Sequence, residues 1–179
     1  MAKPTAPIPT FLLLLLLLVW TASSNFDATA SCRYVTEPQL CTSVAISSAA
    51  TSAKALTVAA VTEAASTAKR VSADVGTILA HSVTDANQTA NLQACKRSYE
   101  SVVGSLEKAV EKLQSEAASH GDIVADISAA LTDASGCRDT FSQNPGMVSP
   151  VAEESSVLEK LVSNSLALAL DLYVDTPAD

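Results

Sequence analysis

Apolar residues recur at steps of three and four over four long stretches of the chain. The most regular is Leu92, Cys95, Tyr99, Val102, Leu106, Ala109 and Leu113, which places one stripe on one face of a helix. The same rhythm runs through Ala64, Ala68, Val71, Val75 and Ile78. It returns in Ile123, Ile127, Ala130, Ala134, Cys137 and Phe141, and in Leu158, Leu161, Ser165, Leu168 and Leu172. Together these predict helices near 53–83, 88–117, 122–142 and 151–174. The stretches between them carry matching punctuation: Asp85-Ala86-Asn87, Ser119-His120-Gly121-Asp122, and Asn144-Pro145-Gly146. Ser149 followed by Pro150 reads as the N-cap and first residue of the last helix. Four amphipathic helices with short connections bury their stripes best as an antiparallel four-helix bundle, so the fold class is all-α. The Ala and Ser residues on the stripes let helices approach closely but bury little area each.

The N-terminus follows a different pattern. Lys3 precedes an unbroken apolar run from Phe11 to Trp20, and the small polar stretch Thr21-Ala22-Ser23-Ser24 comes next. A membrane-spanning helix needs about 20 apolar residues, so this shorter run predicts a cleaved signal peptide over 1–24. Ala28-Thr29-Ala30 is a weaker second cleavage candidate. Loss of 1–24 leaves about 155 residues, enough for one domain with its own core, and removes one base and no acid from a chain of net charge -8. So acidic a chain is repelled by nucleic acid and anionic membranes and attracted to basic partners.

Secretion puts Cys32, Cys41, Cys95 and Cys137 in an oxidising compartment, where four cysteines read as two disulfides with three pairings open. Cys95 and Cys137 each sit on the apolar stripe of their own helix, which selects their pairing. It leaves Cys32 with Cys41, closing a small loop through Thr36-Glu37-Pro38 that fixes an N-terminal extension outside the bundle. No cysteine then remains as a nucleophile. A zinc site is disfavoured because no cysteine pair has CxxC spacing and His81 and His120 stand far from one another.

Catalytic readings fare no better. A serine or cysteine hydrolase needs a histidine base held by a third group, and neither His81 nor His120 comes with a GxSxG-type elbow. Asp122, Asp126, Asp133 and Asp139 crowd the third bundle helix and raise the question of a glycosidase carboxylate pair. The only tryptophan, Trp20, leaves with the signal peptide, so no indole remains for a sugar cleft. The acids read better as a solvated face or an acidic docking surface. Glu107, Lys108, Glu111 and Lys112 read as solvent-facing helix charges with i,i+4 interactions. Asn87-Gln88-Thr89 is an N-glycosylation sequon in a connection, unless Asn87 only caps the second bundle helix.

With these residues in place the chain resembles the plant invertase and pectin methylesterase inhibitor family. Cys32-Arg33-Tyr34-Val35-Thr36-Glu37-Pro38-Gln39-Leu40-Cys41 keeps the family's eight-residue cysteine gap and its proline three residues before the second cysteine. Val35 and Glu37 replace the usual threonine and tyrosine. Leu92-Gln93-Ala94-Cys95 with Tyr99, Val102 and Leu106 resembles the third-cysteine helix. Ile127-Ser128-Ala129-Ala130-Leu131-Thr132, with Cys137 and Phe141, resembles the family's most distinctive stretch, although Asp126 stands where a tryptophan is frequent. Leu161-Val162-Ser163-Asn164-Ser165-Leu166-Ala167-Leu168 is similar to its closing helix.

The resemblance spans Cys32 to about Leu172. It implies a short helical hairpin over 25–52 ahead of a bundle over 53–175, one inhibitor domain at about 28–174, with Cys32 bridged to Cys41 and Cys95 to Cys137. It also implies a secreted, non-enzymatic inhibitor without a cofactor, acting in the apoplast or cell wall, or in the vacuole. Such a protein covers the substrate cleft of pectin methylesterase or invertase in a one-to-one complex. The segment Pro145-Gly146-Met147-Val148-Ser149-Pro150 resembles pollen members assigned to invertase. Acidity leans the other way, since many pectin methylesterases are basic and make an anionic product. The exposed sides of the second and third bundle helices are the expected contact surface. A non-inhibitory helical binder and, more remotely, a hydrolase remain the other classes.

Overall fold

The computed structural model describes residues 26–81, 85–115, 117–144 and 146–172. The expected signal segment lies outside them. The elements are α1 (Ala28–Ser31), α2 (Pro38–Ser48), α3 (Ala53–His81), α4 (Ala86–Gln114), α5 (His120–Ser142) and α6 (Ala152–Asp171). α4 packs on α3 and α5, and α6 closes the ring against α3 and α5, as an up-down-up-down bundle requires.

Most helix starts follow from local chemistry. Ser52 Oγ accepts from the Ala55 amide at 3.1 Å to open α3, and the Asp85 carboxylate accepts from Gln88 N at 2.8 Å to open α4. Asp85, rather than Asn87, is therefore the cap of α4. Ser119 Oγ accepts from Asp122 N at 3.2 Å and donates to the Asp122 carboxylate at 2.7 Å, closing the start of α5. α6 departs from expectation. Ser149 Oγ accepts from Val151 N at 3.3 Å, holding a turn, and α6 starts at Ala152 with no side-chain cap. Glu153 and Glu154 in its first turn suit the positive end of the helix dipole. α2 opens with Pro38 at its first position and stops at Ala49, whose φ of 50° is the left-handed conformation that usually calls for glycine.

The apolar stripes turn inward. All seven stripe residues of α4 and all six of α5 are buried, as are those of α3 and α6 except the terminal Ile78 and Leu172, which are partly buried. Tyr99 is the largest fully buried side chain, while alanines at 60, 64, 68, 130 and 134 thin the core. Cys32, Val35, Cys41, Val44 and Ala45 join the same buried cluster, so α1 and α2 lie against the bundle rather than apart from it.

Candidate functional site

The geometry assembles no catalytic group among the described residues. His81 ends α3 and His120 begins α5, with the 29 residues of α4 between the two turns. At 1.5 Å per residue that is about 40 Å, so the histidines stand at opposite ends of the bundle. No described set of three His, Cys, Asp or Glu side chains could hold a metal ion, and no cysteine is free. Cys32 is bonded to Cys41 with Cα atoms 5.6 Å apart, and Cys95 to Cys137 with Cα atoms 4.4 Å apart. Of the described helices, none alone is long and apolar enough to cross a membrane.

The helices instead present shaped flanks, and polar side chains join α4 to α5 along one of them. Asp122, Asp126 and Asp133 fall on one side of α5 at steps of four and seven, and that side faces α4. The Asp126 carboxylate pairs with Lys112 Nζ at 2.6 Å, and Lys112 also donates to the Asp122 carbonyl at 3.4 Å. Bonding to Asp126 raises the Lys112 pKa, an effect that partial desolvation opposes. Ser101 Oγ donates to the Asp133 carboxylate at 2.5 Å. Asp139 faces elsewhere, beside Arg138, which also pairs with Glu159 of α6. The four aspartates therefore do not form one solvated face: the carboxylates of Asp126 and Asp133 stitch the α4–α5 seam, while that of Asp122 stays with Ser119 at the start of its own helix. The basic and acidic side chains of α4 likewise reach across helices: Glu107 takes Lys69 of α3 at 2.6 Å, while the i,i+4 pair along α4 is Lys96 with Glu100. Near the Cys95–Cys137 bridge the seam is tight, since a β-carbon on Gly136 would meet Ser98 Oγ at 2.9 Å.

Two polar devices escaped the stripe pattern because it counts only apolar positions. Asn164, 2% exposed, accepts from Glu37 N through Oδ1 and donates to Glu37 O through Nδ2, both at 2.9 Å. With Thr36 Oγ1 to Ser163 Oγ at 2.8 Å and Lys160 to Glu37 at 3.2 Å, this clamps the α1–α2 loop onto α6. Inside the bundle the Tyr99 hydroxyl meets Ser155 Oγ at 2.5 Å, and Ser155 donates to the Val151 carbonyl at 2.5 Å. Burial pushes the Tyr99 phenol up, Ser155 partly offsets it, and the nearby Glu159 and Glu154 charges add to it. At the same end, Phe141, Met147, Val148 and Ala152 line an apolar groove of 340 Å³ bordered by Arg138 and Glu159. Asn87 is exposed in the first turn of α4.

A family model described as plant invertase/pectin methylesterase inhibitor matches residues 27–168. The crystal structure of mutant form A of a pectin methylesterase inhibitor from Arabidopsis is similar with a TM-score of 0.70 and 21% identity, covering 86% of this chain and 100% of that one. A pectin methylesterase inhibitor from Arabidopsis thaliana gives a TM-score of 0.61 and 22% identity, covering 85% and 97%. At such identities the likeness is one of fold. No curated protein sequence matches the chain.

Proposed function

The chain belongs to the plant invertase/pectin methylesterase inhibitor family, and from that premise we propose that it is a secreted inhibitor of pectin methylesterase acting in the cell wall. The observation that carries the inhibitor reading is the family match across residues 27–168, all but the last turn of the helical domain. Binding is one-to-one, with the α4–α5 flank against the enzyme, because this flank presents a rigid surface whose polar side chains are already held in place. Preorganised side chains lose little entropy on association.

The choice of pectin methylesterase rests on charge. The full chain's net charge of -8, one unit more negative once Lys3 leaves with 1–24, speeds encounter with a basic enzyme and repels the anionic polymer that enzyme makes. The second reading, inhibition of cell-wall or vacuolar invertase, is favoured by the 145–150 segment and its resemblance to pollen members assigned to that target.

Titration of the protein lacking 1–24 against a basic pectin methylesterase and an acid invertase, at mildly acidic pH, decides between them. The expected result is loss of pectin methylesterase activity with an equimolar end point and an association rate that falls as salt is added. Loss of invertase activity alone transfers the assignment to the second reading. Full activity of both enzymes at micromolar protein sinks the inhibitor reading and leaves a non-inhibitory binder.

A further inference from the structure

The sequon at Asn87 is the only Asn-x-Ser/Thr sequence in the chain. Its surroundings say more than its sequence. Asp85 supplies the cap of α4, and Thr89 Oγ1 donates to the Asp85 carbonyl at 2.8 Å, so Asn87 is not needed to start the helix. The Asn87 amide makes no hydrogen bond to another described residue, and the side chain is exposed. Asn91 lies one turn further on the same face of α4. Its Nδ2 lies 3.4 Å from Met147 Sδ, and its Oδ1 accepts from Asn144 Nδ2 at 3.3 Å. That face of α4 thus leads directly onto the α5–α6 loop. Helical side chains lean towards the N-terminus, so a group attached at Asn87 projects past the start of α4, on the side where Asn91 meets that loop.

We propose that Asn87 carries an N-linked glycan that stands over the α5–α6 loop and shields it. What it shields is apolar: Val148 is 79% exposed beside the groove that Met147, Phe141 and Ala152 line. An apolar patch left open on a secreted protein invites self-association and proteolysis. A hydrated oligosaccharide over it opposes both.

The test uses the full chain secreted from a plant cell culture, with Asn87→Gln and Thr89→Ala as separate variants. If the chain's own first residues do not deliver it to the medium, an established signal sequence in place of 1–24 keeps the site testable. The expected result is that treatment with peptide:N-glycanase A lowers the mass of the wild type by one glycan, converts residue 87 to aspartate, and leaves both variants unchanged. Secreted wild type already at its polypeptide mass overturns the proposal. For the shielding, thermolysin digestion should cut at Met147 and Val148 several-fold more slowly in the glycosylated protein than in the enzymatically deglycosylated one. Equal cleavage rates would show a glycan that points away and would overturn that part.

Discussion

Replacing Asn164 tests whether one side chain holds the N-terminal segment to the bundle. Its amide bonds both backbone groups of Glu37, each at 2.9 Å, from a site that is 2% exposed; the Glu37 carbonyl also accepts from Cys41 N at 3.1 Å, so Glu37 N is the group that the Ala variant leaves without a partner. A typical hydrogen bond contributes about 1 kcal/mol net, and a buried group left unpaired costs about 1–3 kcal/mol. Glu37 is partly exposed, so water can take up some of what is lost. For Asn164→Ala the expected loss is therefore about 2 kcal/mol, readable as a shift in the urea midpoint followed by circular dichroism. Hydrogen exchange at the Glu37 amide should accelerate at least as much as global unfolding does. Asn164→Asp adds a sign. The introduced carboxylate would face the Glu37 carbonyl from a buried site, so its folded pKa lies above the unfolded value of about 3.9. Protonated, it can donate to that carbonyl while still accepting from Glu37 N. Its stabilising contribution is therefore present below about pH 3.9 and is lost as pH rises through the folded pKa. The Asp variant should be the weaker of the two at pH 7 and should overtake the Ala variant in acid. An Ala variant within about 0.5 kcal/mol of wild type, with unchanged exchange at Glu37, would refute the clamp.

Three further outcomes follow from the core and the seam. Removing the Cys95–Cys137 bridge, which spans 42 residues, should cost about 4 kcal/mol in the chain-entropy model, against about 3 kcal/mol for Cys32–Cys41 with its separation of 9; thermal melts of the two double-alanine variants should rank in that order. Tyr99→Phe should lose about 1 kcal/mol at neutral pH by leaving Ser155 one partner fewer. Because the Tyr99 pKa is raised on folding, wild type should also lose stability as pH climbs past about 10, and the Phe variant should show a smaller alkaline loss. Gly136→Ala sets a gain of about 1 kcal/mol in helix propensity against the contact with Ser98 Oγ at 2.9 Å, so alone it should be near neutral. Combined with Ser98→Ala it should stabilise by about that amount, and additivity of the two single changes would argue against the close contact.

Much of the bundle is legible from apolar spacing, because burial of one face imposes a period that other forces do not disturb. The α4 stripe from Leu92 to Leu113 is buried at every expected position. Starts are less legible where several polar groups compete. Ser149 and Pro150 carry the signature of a cap, yet Ser149 spends its hydroxyl on the amide of Val151 in a turn, and α6 begins only at Ala152. Asn87 had the residue type of a cap, but Asp85 two positions earlier holds the role. The buried polar residues Asn164 and Ser155 could not be found by a pattern that scores them as surface. Their partners, Glu37 and Tyr99, lie far away in sequence. The seam acids show the same limit: spacing places Asp122, Asp126 and Asp133 on one side of α5, but only packing shows that this side meets Lys112 and Ser101.

The 4.4 Å separation of the Cys95 and Cys137 Cα atoms has a mechanical meaning. Large interlocking side chains normally stop one helix from sliding along another, and Ala130 and Ala134 give α5 few such knobs. A slip of one turn, about 5.4 Å, would break the Lys112–Asp126 and Ser101–Asp133 contacts and carry Ile123, Ile127 and Phe141 out of their places in the core. The covalent link forbids it. It acts as a dowel that fixes the axial register of α4 against α5, and with it the position of every side chain along their shared flank.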